Sequence, residues 1–452
     1  MSDKLLNEGD SEAAGNPALV TGVGEEAPPE KRTRRGRSIL FYLSILGPGL
    51  IAANAGNDAG GIATYSSMGS LFGFKMLWVM VVVWIGVCVV QEMCARMGAK
   101  TGKGLSDLIR ENFSIRLTAF VMLAFLIANG GVIVSEFIGI TAAMSIFGVP
   151  SWISAPVAGV LVWLLIARGS YQRVEKVFLA LTVTFFAYVI AAFMAKPDWG
   201  EVIKSTFVPT IQLNGLFLTT LIAAVGTTIS PYMQIYVQSA VVERGVTMRD
   251  YKYQRLDVYV GSTFSILIAY FIIVATGATI FPATGGEGRA LDSAVDAAKA
   301  LTPFLGEFAK YIFALGLLGA SFLAAGVLPL TTCYSVTEAL GLENGVSKSL
   351  KEAPSFWGMF TFLIVTAVII AMIPGLPVVN ILVALYLVNG LILPIILFSI
   401  LKLVNDKELM GKYTNSLFYN IVAYGLAGLV SFLSVSYVLI QILGIFGIQI
   451  LG

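Results

Sequence analysis

Residues 47–66 read GPGLIAANAGNDAGGIATYS, and this stretch differs from the apolar sequence on either side of it. It begins as a membrane-spanning helix would, yet its middle contains three glycines, two asparagines and the carboxylate of Asp58. Glycine weakens a helix, and a charged side chain within lipid is costly unless something pairs with it. The stretch therefore predicts a break in a membrane-spanning helix, with a polar site at the break.

The composition of the whole chain is that of a membrane protein. Of its 452 residues, 57% are hydrophobic and 12% are charged, and the mean hydropathy is +0.84. Soluble domains carry about twice that fraction of charged residues. Apolar runs of about 20 residues, enough to cross a bilayer, recur along the chain. We therefore expect an all-α polytopic membrane protein in the lipid bilayer, and the net charge of +2 gives no reason to expect nucleic acid as a partner.

The chain contains no histidine and only three cysteines. Histidine is the usual transition-metal ligand and the usual proton relay near neutral pH, so its absence restricts both functions. The cysteines, at positions 88, 94 and 333, lie in apolar runs without metal-ligand spacing. We interpret them as buried small hydrophobic residues.

Eleven apolar segments follow a polar N-terminal region, residues 1–37. That region ends in the basic run KRTRRGR and is predicted to be a disordered cytoplasmic tail, whose basic run is either a positive-inside anchor or a lipid-facing patch. The segments lie at 39–70, 76–97, 117–146, 151–168, 174–195, 214–243, 256–281, 304–340, 355–373, 376–404 and 418–448.

The distribution of basic residues predicts the orientation. With a cytoplasmic N-terminus, the tail and the loops on the same side hold 23 of the 29 Lys and Arg residues. Basic residues are retained on the cytoplasmic side of membrane proteins. We therefore expect a multi-pass protein of the cell membrane with a cytoplasmic N-terminus and, after eleven spans, an extracellular C-terminus.

Segment 6 contains a second predicted break. Residues 226–231 of this segment read GTTISP, in which proline lacks an amide hydrogen and glycine and threonine weaken the preceding helix. The two breaks lie five spans apart, so the two halves of the chain enter the membrane from opposite sides. This arrangement predicts an inverted repeat. We expect a first five-helix repeat at 38–195, a second at 214–404 and an additional eleventh helix at 418–448.

The chemistry of the two breaks predicts a cation site. The first half of each broken helix ends at its break, so the negative end of its dipole and its free carbonyls face the membrane centre, where Asp58 adds a charge. The ligands expected are hard oxygens, with no thioether at either break, and Met233 one turn past Ser230 is the nearest sulfur. Such ligands suit Mg²⁺, since one carboxylate is few for Ca²⁺. The predicted metal site comprises Asp58, Ala55, Gly61, Thr227, Thr228 and Ser230, with Asn54, Asn57, Glu136, Tyr232, Gln234 and Asn389 as candidate ion-pathway residues.

Three stretches resemble the NRAMP family of divalent-metal transporters. They are GPGLIAANAGNDAGG in segment 1, GTTISPYMQIYVQSAVV in segment 6, and residues 91–112 at the exit of segment 2. The resemblance covers most of the chain after the tail and includes the count of eleven spans. It implies a LeuT-like 5+5 inverted repeat with an eleventh transmembrane helix and discontinuous helices 1 and 6.

The differences from the family concern both the metal and the proton. Asp58 matches the metal-binding aspartate, but Gly61 replaces a metal-binding asparagine and Ser230 replaces the metal-binding methionine. Tyr232 replaces a histidine and Ile133 an aspartate of the proton pathway, whereas the family's glutamate is kept as Glu136. This pattern resembles the NRAMP-related magnesium transporters.

We therefore expect a transporter that imports partly hydrated Mg²⁺, and also accepts Mn²⁺ as a candidate ion, by alternating access as an uncoupled uniporter. We expect no cofactor, because Mg²⁺ is the transported substrate, and the sequence does not define the oligomeric state, with which a monomer is compatible. A proton-coupled Mn²⁺ or Fe²⁺ transporter is the main alternative. A sodium-coupled amino-acid symporter ranks lower, because Asp58 would repel the substrate carboxylate. An intramembrane enzyme has little support, since the chain lacks histidine and a believable GxSxG motif.

Overall fold

Helices account for the regular structure of the part of the chain that the structure describes. The computed structural model describes residues 47–169, 171–212, 214–291, 306–373 and 378–445, all of which belong to one unit of the chain. The predicted N-terminal tail, residues 1–37, lies outside the described residues. The helices of the first half are α1 (Pro48–Ala55), α2 (Ala59–Phe72), α3 (Leu77–Thr101), α4 (Leu105–Asn112), α5 (Ile115–Ile146), α6 (Ser151–Ala167), α7 (Tyr171–Leu181), α8 (Phe186–Met194) and α9 (Trp199–Phe207).

The described part of the second half is also helical. Its helices are α10 (Gly215–Thr228), α11 (Pro231–Glu243), α12 (Tyr251–Ala283), α13 (Glu307–Leu340), α14 (Pro354–Ala371), α15 (Val378–Asn405), α16 (Lys407–Met410) and α17 (Leu417–Ile445). Short 3₁₀ turns join α7 to α8 and follow α16.

Within the described residues, each of the eleven predicted segments corresponds to one helix or to a pair of helices. Residues 39–46 at the start of segment 1 and a few residues at the ends of segments 8, 10 and 11 lie outside the described part. Among the described residues, eight helical stretches are long and apolar enough to cross a bilayer. Segment 4, which forms α6, is a shorter apolar helix, and segment 1 is divided into α1 and α2. The prediction of an all-α membrane protein is therefore confirmed. The division of the chain into two five-helix repeats at 38–195 and 214–404 and an eleventh helix at 418–448 remains a prediction.

Both predicted breaks are present in the helices. In segment 1, α1 ends at Ala55 and α2 begins at Ala59. In segment 6, α10 ends at Thr228 and α11 begins with Pro231 in its first turn. Proline suits the first turn of a helix, where no intrahelical partner for its missing amide hydrogen is needed. The second break is narrower than predicted, because residues 226–228 stay within α10.

The backbone of α12 lies very close to the backbone of α1, the first half of segment 1. A Cβ atom on Gly261 of α12 would lie 2.4 Å from the Cα atom of Leu50, and one on Gly49 would lie 2.7 Å from the backbone of Val258. Only glycine permits such an approach of two helix backbones. The side chain of Asp257 then caps α1, accepting hydrogen bonds from the amides of residues 47, 49 and 50 at 2.8, 2.7 and 3.2 Å. Since α1 is fixed in this way, the end of α1 and the break that follows it have a defined position.

Candidate metal site

Asp58 lies at the first break and caps the helix that follows it. The side chain is 3% exposed, and its Oδ1 atom accepts a hydrogen bond from the amide of Gly61 at 2.7 Å. An aspartate at this position satisfies one of the free amides of α2 and lies at the positive end of its dipole. The carboxylate is therefore held in place by its own chain rather than being exposed to lipid.

Glu136 of α5 reaches the same helix end. Its side chain is fully buried, and Oε2 accepts a hydrogen bond from the amide of Ala59 at 3.2 Å. The hydroxyl of Ser135 lies 3.3 Å from Oε1. Glu136 was predicted from its sequence only as a candidate ion-pathway residue, and the structure brings it to within two residues of the amide that Asp58 binds. Two carboxylates, one from the residue before α2 and one from α5, thus bind amides at the start of α2.

Oxygen atoms from both breaks converge beside Gly61. A Cβ atom built on Gly61 would lie 2.7 Å from the carbonyl oxygen of Gly56, 3.2 Å from Oδ1 of Asp58 and 3.5 Å from Oγ1 of Thr227. Any larger residue at position 61 would fill this space. The carbonyl of Gly56 was not among the predicted ligands, since the sequence did not define which carbonyl the break would turn toward the site.

Tyr232, at the start of α11, connects the two halves of segment 1. Its hydroxyl oxygen lies 3.0 Å from the carbonyl oxygen of Ala55 and 3.1 Å from Oδ2 of Asp58. Its single proton can be donated to only one of these two acceptors at a time. The carbonyl oxygen of Ala55, a predicted ligand, and the carboxylate of Asp58 are therefore alternative acceptors for the proton of this hydroxyl.

The hydroxyl groups at the second break are largely engaged within the protein. The hydroxyl of Ser230 lies 2.9 Å from the carbonyl oxygen of Thr227. The hydroxyl of Thr228 lies 2.5 Å from the carbonyl of Ala224 and 2.9 Å from the hydroxyl of Tyr65. The hydroxyl of Thr227, in contrast, lies 3.5 Å from the position of a Cβ atom on Gly61.

The expectation that no thioether falls at either break is wrong. Met233 is one turn past Ser230 in sequence, but its buried side chain packs on the first break. A Cβ atom on Gly56 would lie 2.6 Å from Cε and 2.9 Å from Sδ of Met233. The packing of α11 against α1 brings the sulfur there, and this packing is not visible in the spacing of residues within one helix.

The remaining predicted pathway residues have different surroundings. Asn57 donates from Nδ2 to the backbone and hydroxyl oxygens of Ser265 in α12, at 3.0 and 3.1 Å, so it is turned toward that helix. Asn54 donates to the carbonyl of Leu50 at 2.8 Å, and its Oδ1 atom is buried without a hydrogen-bond partner. Gln234 is fully buried, with Oε1 likewise unpartnered. The side chain of Asn389 lies outside the described residues.

Access to the site differs between the two halves of segment 1. Every residue of α1 is buried. In contrast, one face of α2 keeps partial exposure from the break onward, and this face comprises Ala59, Gly60, Ala63, Thr64 and Ser67. The half of segment 1 before the break is therefore packed inside the protein, whereas the half after it is partly accessible.

Comparison with known proteins identifies the family. The family model described as natural resistance-associated macrophage protein-like, or Nramp, matches residues 49–440. The chain belongs to the Nramp family. A relative in this family is the divalent metal cation transporter MntH of Aeromonas hydrophila, which is 28% identical over 415 residues, covering 88% of this chain and 93% of that protein.

Solved structures show that the Nramp chain has the predicted fold. A crystal structure of the Eremococcus coleocola manganese transporter matches it with a TM-score of 0.72 at 19% identity, covering 91% of this chain and 90% of that one. MHP1, a nucleobase-cation-symport-1 family transporter, matches with a TM-score of 0.53 at 13% identity, covering 87% and 92%. The LeuT-like fold with discontinuous helices 1 and 6 is thus confirmed. The protein is an Nramp-family divalent metal transporter of the membrane.

Proposed function

We propose that this Nramp-family protein imports Mg²⁺, partly hydrated, through a site between its two broken helices. The convergence of the Gly56 carbonyl, the Asp58 carboxylate and the Thr227 hydroxyl beside Gly61 carries the proposal. All three are hard oxygen ligands, which suit Mg²⁺ better than transition metals. The sequence adds no imidazole anywhere in the chain.

Charge supports a divalent cation. Asp58 and Glu136 are both buried, and both accept hydrogen bonds from amides in the first turn of α2. A helix N-terminus supplies only about half a positive charge. When both carboxylates are ionised, a divalent ion beside them would balance their charge.

The hydrogen bonds around the site favour an ion that keeps part of its water. Direct Mg²⁺ ligands must lie at about 2.0–2.1 Å, and the ion gives up its waters reluctantly. The hydroxyls of Thr228 and Ser230 donate to carbonyl oxygens of α10, and Asn57 donates to a carbonyl oxygen of α12. Because these side chains are held in place by the hydrogen bonds that they donate, their oxygen atoms are not free to move onto the ion, and in our proposal water completes its coordination.

A polar line along α11 suggests the exit route. Ser230, Gln234 and Gln238 follow one another at a spacing of four residues, which places them on one face of the helix. Both glutamines are fully buried, and the Oε1 atom of each has no hydrogen-bond partner. Gln238 also donates to the carbonyl of Lys103, in the loop after α3. In our proposal, this line becomes hydrated when the site opens to the cytoplasm.

The site is then open in turn to the outside, where the ion enters, and to the cytoplasm, where it leaves. In our proposal, the partly exposed face of α2 lines the route from outside, and the buried α1 lies on the side that we assign to the cytoplasm. Movement of the broken helices against the rest of the fold would reverse this accessibility. The orientation, with the N-terminus in the cytoplasm, belongs to the proposal and rests on the distribution of basic residues.

The membrane potential is sufficient to drive accumulation without a coupled ion. Moving two positive charges inward through 100 mV releases about 4.6 kcal/mol. This free energy corresponds to an accumulation of about a thousandfold. The lack of histidine and the replacement of a family aspartate by Ile133 fit a uniporter.

Exchange of ligands tests the proposed selectivity. The double variant Gly61→Asn with Ser230→Met restores an amide and a thioether at the positions where the family resemblance expects them. We expect Mn²⁺ uptake to rise relative to Mg²⁺ uptake by about tenfold, measured side by side in proteoliposomes. An unchanged ratio would show that these two positions do not set selectivity.

A second candidate function, Mn²⁺ transport, is favoured by Met233. Its sulfur packs against Gly56 at the first break, where a shift of α11 would bring a soft ligand to the ion. The named relatives are a divalent metal cation transporter and a manganese transporter. Micromolar Mn²⁺ uptake that millimolar Mg²⁺ does not inhibit would favour this function over the first.

A further inference from the structure

A cavity at the junction of α6 and α7 is not accounted for by transport of the metal ion. It has a volume of about 410 Å³ and opens on the surface of the protein. Its apolar lining includes Leu164, Leu165 and Val177, and three basic residues surround it: Arg168, Arg173 and Lys176. Retention of basic residues on the cytoplasmic side accounts for the three cations but not for the apolar cavity beside them.

The three cations are available to a ligand. Arg168, Arg173 and Lys176 are exposed, and none of them forms an ion pair within the part of the chain that the structure describes. Glu175, the one acidic residue of α7, is not among the residues that line the cavity. It is buried and lies 3.4 Å from Arg244 at the end of α11. The ion pair of this carboxylate is therefore with a cation outside the cavity lining.

The apolar lining of the cavity is continuous with the surface that faces lipid. Leu161, one turn before Leu164 in α6, is 54% exposed, and Val177 in α7 is 38% exposed. Helices α6 and α7 both lead from this junction into predicted membrane spans. The cavity lies at the same end of the protein as the start of α1, because a Cβ atom on Gly47 would contact both Glu175 and Arg244. On the orientation given above, this end is cytoplasmic.

We propose that the cavity binds an anionic phospholipid of the cytoplasmic leaflet. The two arginines and Lys176 would hold the phosphate oxygens, for which the guanidinium group has a matching geometry. The first part of an acyl chain would lie against Leu164, Leu165 and Val177. Basic pockets between transmembrane helices at the cytoplasmic surface suit such headgroups. A soluble phosphate would use the cations but not the apolar lining, so the lipid is the better match.

Native mass spectrometry of the full-length protein tests this site. The protein is released from micelles that contain equal amounts of phosphatidylglycerol and phosphatidylcholine, and the bound lipids are counted. We expect the wild type to retain at least threefold more phosphatidylglycerol than phosphatidylcholine. The triple variant R168Q/R173Q/K176Q is expected to lose this preference.

A matched control removes the same charge elsewhere on the same side. The triple variant R116Q/R249Q/K407Q neutralises exposed basic residues that do not line the cavity and is expected to keep the preference. Val177→Glu places a carboxylate in the lining and is expected to reduce phosphatidylglycerol retention with all three cations present. It supplies the test if the site triple variant does not fold.

Three outcomes would overturn the proposal. Equal loss of preference in the two triple variants would indicate a general effect of surface charge. Absence of a preference in the wild type would show that the cavity holds no anionic lipid. Full displacement of phosphatidylglycerol by about 10 mM inorganic phosphate, a concentration chosen to saturate a soluble-anion site, would identify the ligand as soluble phosphate. The measurement does not involve the transported ion, so its result is independent of the proposed Mg²⁺ selectivity.

Discussion

Asp58 and Glu136 accept hydrogen bonds from the same helix end, although they are 78 positions apart in the chain. Oδ1 of Asp58 binds the amide of Gly61 at 2.7 Å, and Oε2 of Glu136 binds the amide of Ala59 at 3.2 Å. Two ionised carboxylates that bind the same helix end in a buried site repel each other. A divalent cation between them would turn this repulsion into attraction, and we expect both residues to contribute to its binding.

Glu136→Gln tests the contribution of the second carboxylate. Glutamine keeps the size of the side chain and one acceptor oxygen for the amide of Ala59, but it removes the charge. We expect the apparent affinity for Mg²⁺ in proteoliposome uptake to fall by about tenfold, which corresponds to about 1.4 kcal/mol. Asp58→Asn, which removes the more central charge, is expected to abolish uptake.

Glu287→Gln is the control for these two substitutions. Glu287 is exposed in the loop after α12, so neutralising it removes one negative charge without changing the site. Its uptake is expected to stay within twofold of the wild type. An equal loss in all three variants would mean that the site carboxylates act only through overall charge.

Gly61→Ala tests the space between the two breaks. The added methyl group would lie 2.7 Å from the carbonyl oxygen of Gly56 and next to Asp58. We expect Mg²⁺ uptake to fall by at least tenfold because the methyl group occupies the space proposed for the ion and its water. Gly130→Ala in α5 is the control, since a Cβ atom there meets no atom within 4 Å. Uptake by Gly61→Ala equal to that of Gly130→Ala would place the ion elsewhere.

Met233→Leu separates the two candidate functions. Leucine keeps the apolar volume that packs on Gly56 and removes the sulfur. We expect Mg²⁺ uptake within twofold of the wild type, because the proposed ligands are oxygens. Loss of Mn²⁺ uptake by tenfold with Mg²⁺ uptake preserved would show that the sulfur binds the transition metal. Loss of both ions in proportion would indicate a packing defect instead.

Transport should respond to voltage and not to protons. We expect an imposed inside-negative potential of 100 mV to accelerate Mg²⁺ uptake, because the ion carries two charges inward. A pH-sensitive dye inside the vesicles is expected to show no acidification in step with uptake. Acidification that depends on Mg²⁺ and is absent in Asp58→Asn would establish proton coupling and contradict the uniporter.

The fold could be predicted from the sequence because its strongest signals are local. Apolar runs long enough to cross a bilayer predicted all eleven segments. The polar and glycine residues between Ala55 and Ala59 predicted the first break, which the structure places there. The second break was predicted over residues 226–231, but Thr227 and Thr228 remain helical. Threonine tolerates a helix when its hydroxyl binds a carbonyl one turn earlier, as Thr228 does with Ala224.

The contacts of the site were harder to predict because they join distant parts of the chain. Nothing near Glu136 in sequence indicates that its carboxylate meets the amide of Ala59. The position of Met233 beside Gly56 depends likewise on the packing of α11 against α1. A prediction from periodicity places residues on the faces of one helix, whereas these contacts depend on which helices are neighbours. The inverted-repeat pairing of the two breaks was the one long-range signal that the sequence contained.

Ion uptake by the wild-type protein tests the central claim most directly. Purified protein in liposomes is exposed to Mg²⁺ at about 1 mM, a concentration in the range expected for a weakly held hydrated ion, and entry is followed with an internal Mg²⁺ dye. Asp58→Ala serves as the control. We predict saturable Mg²⁺ entry in the wild type, none in the variant, and inhibition by competing Mn²⁺. Mn²⁺ entry without any Mg²⁺ entry in the wild type would contradict the account.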